Sequence, residues 1–122
     1  MKTILVADDS RVMRNIVKNV FAEMAIPCQY LEAGNGKKAF DLLMANKVNL
    51  VFLDWNMPEM DGLEFLVKVR ALPGYEDLPI VMVTSEAAKY SVIEALDTGA
   101  TDYITKPINE KRFREKASKI TF

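Results

Sequence analysis

Polar residues that could bind a cation and a phosphoryl group follow short segments of the sequence that are rich in apolar and β-branched residues. The set comprises Asp8, Asp9, Asp54, Thr84 and Lys106. If the carboxylates converge, they repel one another. Mg²⁺ would relieve that repulsion, because it prefers oxygen ligands and is commonly held by one or two carboxylates together with phosphate oxygens. The ammonium of Lys106 and the hydroxyl of Thr84 could bind phosphate oxygens. Such a set suits phosphoryl transfer, in which a carboxylate such as Asp54 can be the nucleophile.

These residues must be brought together by the elements that carry them. Alone, each would indicate little, because acids and lysines after strands are common in loops and helix caps. After Ser10, which suits an N-cap, apolar residues recur at steps of three and four and predict a helix that ends before Pro27. The runs at 50–53 and 80–83 are apolar at every position. That pattern is typical of strands buried on both faces of a parallel sheet.

The whole pattern predicts strands alternating with helices in a doubly wound α/β domain with a five-stranded parallel sheet. The predicted strands are 4–7, 28–33, 50–53, 79–83 and 101–105. The first predicted helix begins at Ser10, and the second spans 37–46. The third lies around 63–72, the fourth is marked by Val92, Ile93 and Leu96, and the fifth spans 109–120. Ligands of such sheets bind beyond the carboxyl ends of the strands. If the strand order is 2-1-3-4-5, the acids after the first and third strands lie side by side. Thr84 and Lys106 then follow along the same edge.

The composition excludes several classes of function. The 122 residues, half of them hydrophobic, suffice for one domain with its own core, which we expect to span residues 1–122. The sequence contains no histidine, so histidine-based catalysis and histidine-ligated metal sites are excluded. A net charge of -1 argues against nucleic acid or membrane surfaces as partners. A single cysteine, Cys28, and apolar runs too short for a signal peptide or membrane span predict a cytoplasmic protein.

Four segments resemble the motif blocks of response-regulator receiver domains. They are residues 4–10, 53–62, 83–84 and 106–107. The similarity extends from residue 3 to about residue 120, and the order, spacing and placement of the blocks all match. Within the family, residues 54–58 are most similar to the stand-alone chemotaxis regulators. The resemblance implies a flavodoxin-like sheet of order 2-1-3-4-5, which is a known example of the doubly wound fold.

The resemblance also implies a role for each residue of the set. Asp54 would be the phosphoacceptor, and Asp8 and Asp9 would hold Mg²⁺ together with Asp54 and the backbone carbonyl of Asn56. Lys106 would pair with the phosphoryl group, and the Lys106–Pro107 peptide bond would be cis. The protein would then catalyse only its own phosphorylation and dephosphorylation, and it would act as a signalling switch.

Further positions are implied to transmit and to time the signal. Thr84 would bond the phosphoryl group, and Tyr103 would move inward as the space behind Thr84 changes. Asn56 and Glu86, which lie two residues beyond Asp54 and Thr84, would tune the rate of phosphate loss. Tyr103 could equally be an ordinary core aromatic. Trp55 is either a partner contact or a half-buried ring, and Met57 and Met60 suit loop packing.

The implied partners are proteins. A histidine kinase would donate the phosphoryl group, and a downstream protein would bind the surface formed by the fourth helix, fifth strand and fifth helix. Because the sequence stops after the last helix, output is expected through another protein. A phosphatase is a further implied partner of this monomer. The last helix carries Lys111, Arg112, Arg114, Lys116 and Lys119. These residues form either a solvated face or a contact for an acidic segment. The kinase, the target and the pathway are not identified.

Three alternatives share parts of this pattern. A Mg²⁺-dependent phosphatase or phosphomutase with an aspartyl nucleophile would need a second acid two residues after Asp54, where the sequence has Asn56. A binding module that works without phosphorylation could keep a vestigial site, although the intact set of polar residues argues against it. A flavodoxin-like electron carrier has the same fold class, but the acids would repel a flavin phosphate.

Overall fold

A parallel sheet forms the centre of the protein. The computed structural model describes residues 1–85 and 89–122, and it describes residues 89–92 by their backbone only. The strands of this part of the chain are β1 (Lys2–Ala7), β2 (Cys28–Ala33), β3 (Leu50–Asp54), β4 (Ile80–Thr84) and β5 (Asp102–Thr105). They lie in the order β2-β1-β3-β4-β5, and every neighbouring pair is parallel. The predicted α/β class and strand order are confirmed.

Helices alternate with the strands. Within the described residues they are α1 (Arg11–Glu23), α2 (Gly36–Ala45), α3 (Gly62–Arg70), α4 (Lys89–Thr98) and α5 (Glu110–Ser118). Ser10, the predicted cap of α1, accepts a hydrogen bond from the backbone N–H of Met13 at 3.3 Å. Asn35, Asp61 and Asn109 cap α2, α3 and α5 in the same way. None of the helices among these residues is long and apolar enough to cross a membrane.

The helices cover both faces of the sheet. Leu43 of α2 and Phe65 of α3 belong to the core on one face. On the other face, Phe21 of α1 and Phe113 of α5 pack against Phe52 of β3, with ring centroids 5.4 and 5.2 Å apart respectively. Every residue of β3 and β4 is buried, which confirms the interpretation of their apolar runs as central strands. The inner strands β3 and β4 are therefore packed against helices on both faces of the sheet.

The apolar residues that mark α4 in the sequence are not the ones that it buries. Ile93 and Leu96, which mark this helix in the sequence, are 47% and 42% exposed, whereas Ala95 is 1% exposed. A small alanine packs against the sheet, so the buried residue contributes little to the hydrophobic pattern, while larger apolar side chains face solvent. Val92 lies outside the residues whose side chains are described. The helix itself and its end before Gly99 are confirmed.

Candidate functional site

The carboxyl ends of the strands bring the predicted polar residues to one edge of the sheet. Asp8 follows β1, and Asp54 and Thr84 are the last residues of β3 and β4. Lys106 directly follows β5. The register aligns Asp54 with Val83 in the neighbouring strand. The edge predicted from the strand order therefore exists, and it carries these polar residues.

Hydrogen bonds beyond the strand ends fix the backbone of this edge. The N–H of Asp8 donates to the carbonyl of Ala33 at 3.0 Å, so pairing with β2 continues past the end of β1. The N–H of Lys106 donates to the carbonyl of Thr84 at 2.7 Å. One carboxylate oxygen of Asp8 accepts from the N–H of Ser10 at 2.9 Å. The side chains of the site thus project from backbone held in the sheet, which limits their positional freedom.

Three carboxylates form a cluster at this edge. Oxygen atoms of Asp8, Asp9 and Asp54 all lie within 4.8 Å of one another. Asp8 and Asp54 are 5% and 4% exposed, whereas Asp9 is exposed. Burial and the negative charge of Asp8 raise the pKa of Asp54 to about 6, although Lys106 opposes that rise. The cluster therefore holds more negative charge than its surroundings readily stabilise.

Lys106 lies between two of these acids. Its Nζ is 3.1 Å from Oδ2 of Asp8 and 3.2 Å from Oδ1 of Asp54. Burial alone would lower the pKa of Lys106, but its contacts with Asp8 and Asp54 raise it above the ordinary value, so the ammonium stays protonated. Among the described residues, one ammonium faces three carboxylates, and a net negative charge remains. Carboxylate oxygens alone suit a hard cation such as Mg²⁺, so the residues present fit that metal.

The other predicted residues differ in their exposure and in whether the structure describes them. Thr84 is buried at 2% exposure and its carbonyl is bonded to Lys106. Asn56 is exposed in the loop after β3. Glu86 lies outside the described residues. Trp55 is partly buried and packs against the core, which favours the half-buried ring over a fully exposed contact. The Lys106–Pro107 peptide bond is cis, as the resemblance implies.

Tyr103 lies within β5, three residues before Lys106. Its ring is partly buried and packs against the core on the face of the sheet that is covered by α2, α3 and α4. The ammonium of Lys116 lies 4.3 Å from the centroid of that ring and also donates to the carbonyl of Tyr103 at 2.8 Å. Both interpretations of Tyr103, core aromatic and switch residue, are compatible with a ring that is only partly buried.

Sequence reasoning missed Arg14 of α1. Its Nη1 donates to the backbone carbonyl of Asp8 at 2.6 Å, and its Nε donates to Oε1 of Glu32 at 3.1 Å. A cation beside the apolar face of α1 was the available signal. Its partner Glu32 is distant in the sequence and on another element, so the pairing has no local pattern.

Comparison with known proteins agrees with this geometry. A profile of the response regulator receiver domain matches residues 4–118. The chemotaxis protein CheY homolog of Campylobacter jejuni (strain 81-176) is 48% identical over 114 residues, which are 93% of this chain and 87% of that protein. CheY1 of Helicobacter pylori (strain J99) is 43% identical over 114 residues, covering 93% of this chain and 91% of that protein.

Solved structures lead to the same family. A structure of chemotaxis protein CheY4 of Vibrio cholerae, crystallised at low pH, superposes with a TM-score of 0.87 at 27% identity and 99% coverage of both chains. The Mn²⁺-bound form of response regulator Rcp1 superposes with a TM-score of 0.84 at 26% identity, covering 95% of this chain and 88% of that one. The family match, the strand order and the acidic cluster agree. The chain belongs to the response regulator receiver domain family and is closely related to the CheY chemotaxis regulators.

Proposed function

We propose that this chain is a single-domain response regulator of a two-component phosphorelay, with residues 1–122 as its receiver domain. Asp54 accepts a phosphoryl group from a phosphohistidine of a CheA-like histidine kinase, and the phosphorylated protein acts in chemotaxis. The observation that carries the proposal is the ammonium of Lys106 between Asp8 and Asp54. That arrangement supports the proposal, because it would hold a nucleophilic carboxylate and a phosphate-binding ammonium next to each other. The relatives named as chemotaxis proteins support the pathway.

The carboxylates of Asp8, Asp9 and Asp54 would hold Mg²⁺, and the backbone carbonyl of Asn56 is the further ligand that we propose. When bound, Mg²⁺ neutralises part of the charge on the phosphoryl oxygens. The Mn²⁺-bound form of Rcp1 supports a divalent cation in this fold. The excess of carboxylates over ammonium groups at the cluster supports it independently.

The residues of the chain divide the chemistry among them. A carboxylate oxygen of Asp54 attacks phosphorus, the new O–P bond forms, and the N–P bond breaks with its electron pair returning to the imidazole of the kinase. Lys106, which bonds Asp54 before transfer, then binds a phosphoryl oxygen. The hydroxyl of Thr84 donates to another oxygen in the phosphorylated state only. This difference shifts a two-state equilibrium that includes Tyr103.

The output surface consists of α4, β5 and α5. Ile93 and Leu96 on α4 are exposed apolar side chains of the kind that a partner protein would cover. On α5, Arg114 pairs with Glu23 and Lys116 pairs with Asp102, so these two cations already have partners within the domain. That pairing supports the solvated-face interpretation for Arg114 and Lys116. The exposed side chains Lys111, Arg112 and Lys119 remain candidates for an acidic partner segment.

Asn56 and Glu86 would set the lifetime of the phosphorylated state. Asn56 is exposed beside Asp54, where it could contact an incoming water or the side chain of a phosphatase. The protein would work as a cytoplasmic monomer whose partners are the kinase, the downstream target and such a phosphatase. Neither nucleic acid nor membrane insertion belongs to this proposal.

Incubation with acetyl phosphate and Mg²⁺ tests the function. We expect mass spectrometry to show one phosphoryl group per chain, located on Asp54, and none when EDTA removes the metal. Continuous release of many equivalents of phosphate from a small phosphoester would instead identify a phosphatase. No mass increase under any of these conditions would favour a binding module that works without phosphorylation.

The affinity for Mg²⁺ is expected to fall in acid. Asp54 has a pKa of about 6, so a proton competes with the metal below that pH. At pH 5 about nine tenths of the Asp54 side chains would be protonated, so the dissociation constant for Mg²⁺ should be about tenfold larger than at pH 8. Titrations followed by amide resonances at each pH measure it. A constant affinity from pH 8 to pH 5 would contradict the expectation.

A further inference from the structure

Arg14 joins three elements near the acidic cluster. It lies on the first turn of α1, and its side chain is 17% exposed. Nε donates to Glu32 on β2 at 3.1 Å, while Nη1 donates to the backbone carbonyl of Asp8 after β1 at 2.6 Å. In the sheet register, Glu32 lies opposite Val6 and is therefore fixed relative to the end of β1. The guanidinium thus links α1, β2 and the segment between β1 and α1 through hydrogen bonds.

The carbonyl of Asp8 belongs to the peptide group that joins Asp8 to Asp9. Both side chains of that dipeptide belong to the acidic cluster. The N–H of Asp8 is bonded to Ala33, and the Asp8 carboxylate accepts from the N–H of Ser10. Arg14 binds the remaining polar group of Asp8, its carbonyl. With that bond formed, rotation of the Asp8–Asp9 peptide would break a charge-assisted hydrogen bond in a part-buried place.

We infer that Arg14 is a positioning residue for the metal site: by binding the carbonyl of Asp8 it fixes the peptide that aims the carboxylates of Asp8 and Asp9 at the cation. The inference rests on the proposed function, because it assumes that these carboxylates bind Mg²⁺. Partners of metal ligands that do not touch the metal commonly change metal affinity by about ten- to a hundredfold when they are removed.

Lys18 separates this role from a simple ion pair. Its Nζ lies 3.1 Å from Oε2 of Glu32, so Arg14 and Lys18 share one carboxylate. Burial would raise the pKa of Glu32, but the hydrogen bonds from Lys18 and Arg14 hold it below the ordinary value. In the structure, the two cations differ in one respect that concerns the site, since Arg14 also binds the Asp8 carbonyl. Lys18→Met is therefore the matched control for Arg14→Met.

Nuclear magnetic resonance of the full chain tests the inference in two ways. In EDTA, the carbonyl carbon resonance of Asp8 should move upfield in Arg14→Met, because its hydrogen bond is lost, and should stay in place in Lys18→Met. In Mg²⁺ titrations, Arg14→Met should bind the metal about tenfold more weakly than the wild type, and Lys18→Met should stay within about twofold. Arg14→Lys keeps the charge but lacks the fork that reaches both acceptors, so its affinity should also fall.

Several results would overturn the inference. Wild-type Mg²⁺ affinity in a folded Arg14→Met variant is one, and an equal loss in Arg14→Met and Lys18→Met, which would point to Glu32 alone, is another. If Arg14→Met does not fold, Arg14→Lys provides the test. Wild-type Mg²⁺ affinity and an unchanged Asp8 carbonyl resonance in Arg14→Lys would contradict the positioning role of Arg14. A wild-type protein that binds no Mg²⁺ would instead defeat the proposed function.

Discussion

Replacing Asp54 by asparagine is expected to abolish phosphoryl incorporation and, in the same variant, to stabilise the metal-free protein at neutral pH. The loss is complete because asparagine has no carboxylate to attack phosphorus. The gain arises because Asp54 is 4% exposed and lies within 4.8 Å of Asp8 and Asp9. Asparagine keeps the shape of the side chain but removes one of the buried charges, while Lys106 keeps Asp8 as its partner.

The size and the pH dependence of that gain follow from the pKa of Asp54. Folding raises this pKa from an ordinary 3.8 to about 6. Below the ordinary value both states are protonated, and the carboxyl group has no effect on stability. As the pH rises towards 6 the unfolded chain loses its proton first, so wild-type stability falls and the full penalty is present above that pH. The gap between 3.8 and about 6 corresponds to about 3 kcal/mol.

Urea unfolding in EDTA at pH 4 and pH 8 measures the effect. The free energy of unfolding of Asp54→Asn should exceed that of the wild type by about 3 kcal/mol at pH 8 and by little at pH 4. Asp41→Asn, which removes an exposed carboxylate from α2, is the control and should change neither stability nor phosphorylation. A difference that does not vary with pH would contradict the electrostatic explanation. Phosphorylation that persists in Asp54→Asn would place the acceptor elsewhere.

A buried acid that weakens the metal-free fold has a functional explanation. Mutual repulsion lowers stability only while no cation neutralises it, and ligand binding to the folded state restores stability by mass action. Added Mg²⁺ should therefore reduce the difference in the free energy of unfolding between the wild type and Asp54→Asn. The repulsion within the acidic cluster and the Mg²⁺ affinity that we propose for it would both follow from the same excess of negative charge.

The edge of the sheet could be predicted from the sequence because its signals are local. A run that is apolar at every position, followed at once by an acid or a hydroxyl, gives both the strand and the residue at its end, as in β3 with Asp54 and β4 with Thr84. Parallel strands place all such ends together, so the topology supplies the convergence. Asp8 follows the same logic, and the structure places it in contact with Lys106, which follows the more polar strand β5.

Contacts between distant elements could not be predicted in this way. Arg14 binds Asp8 and Glu32 through geometry that depends on how α1 crosses β1 and β2. Arg70 donates to the carbonyls of Tyr75 and Leu78 in the loop between α3 and β4, and to that of Gly99 in the loop between α4 and β5. The burial of Ala95 on α4 could not be predicted from the apolar pattern for a related reason. The hydrophobic pattern ranks side chains by size and polarity. Burial on α4 depends instead on the space between the helix and the sheet, which only a small side chain fits.

A close approach of backbone to backbone at Gly36 leads to the second large effect. Gly36 begins α2, and a Cβ added there would lie 1.9 Å from the carbonyl oxygen of Met60 and 2.7 Å from its carbonyl carbon. Backbone atoms cannot rotate away as a flexible side chain could, so the loop that follows β3 would have to move. Helix propensity alone predicts the opposite sign, since alanine is favoured over glycine by about 1 kcal/mol within a helix.

Gly36→Ala is therefore expected to destabilise the protein by about 2 to 3 kcal/mol. Gly34→Ala is the matched control two residues away, because its added Cβ would meet only the Arg14 guanidinium at 3.9 Å, an ordinary contact distance. That variant should stay within about 0.5 kcal/mol of the wild type. Urea unfolding of both variants measures the difference. A Gly36→Ala variant as stable as Gly34→Ala would mean that the loop yields at little cost.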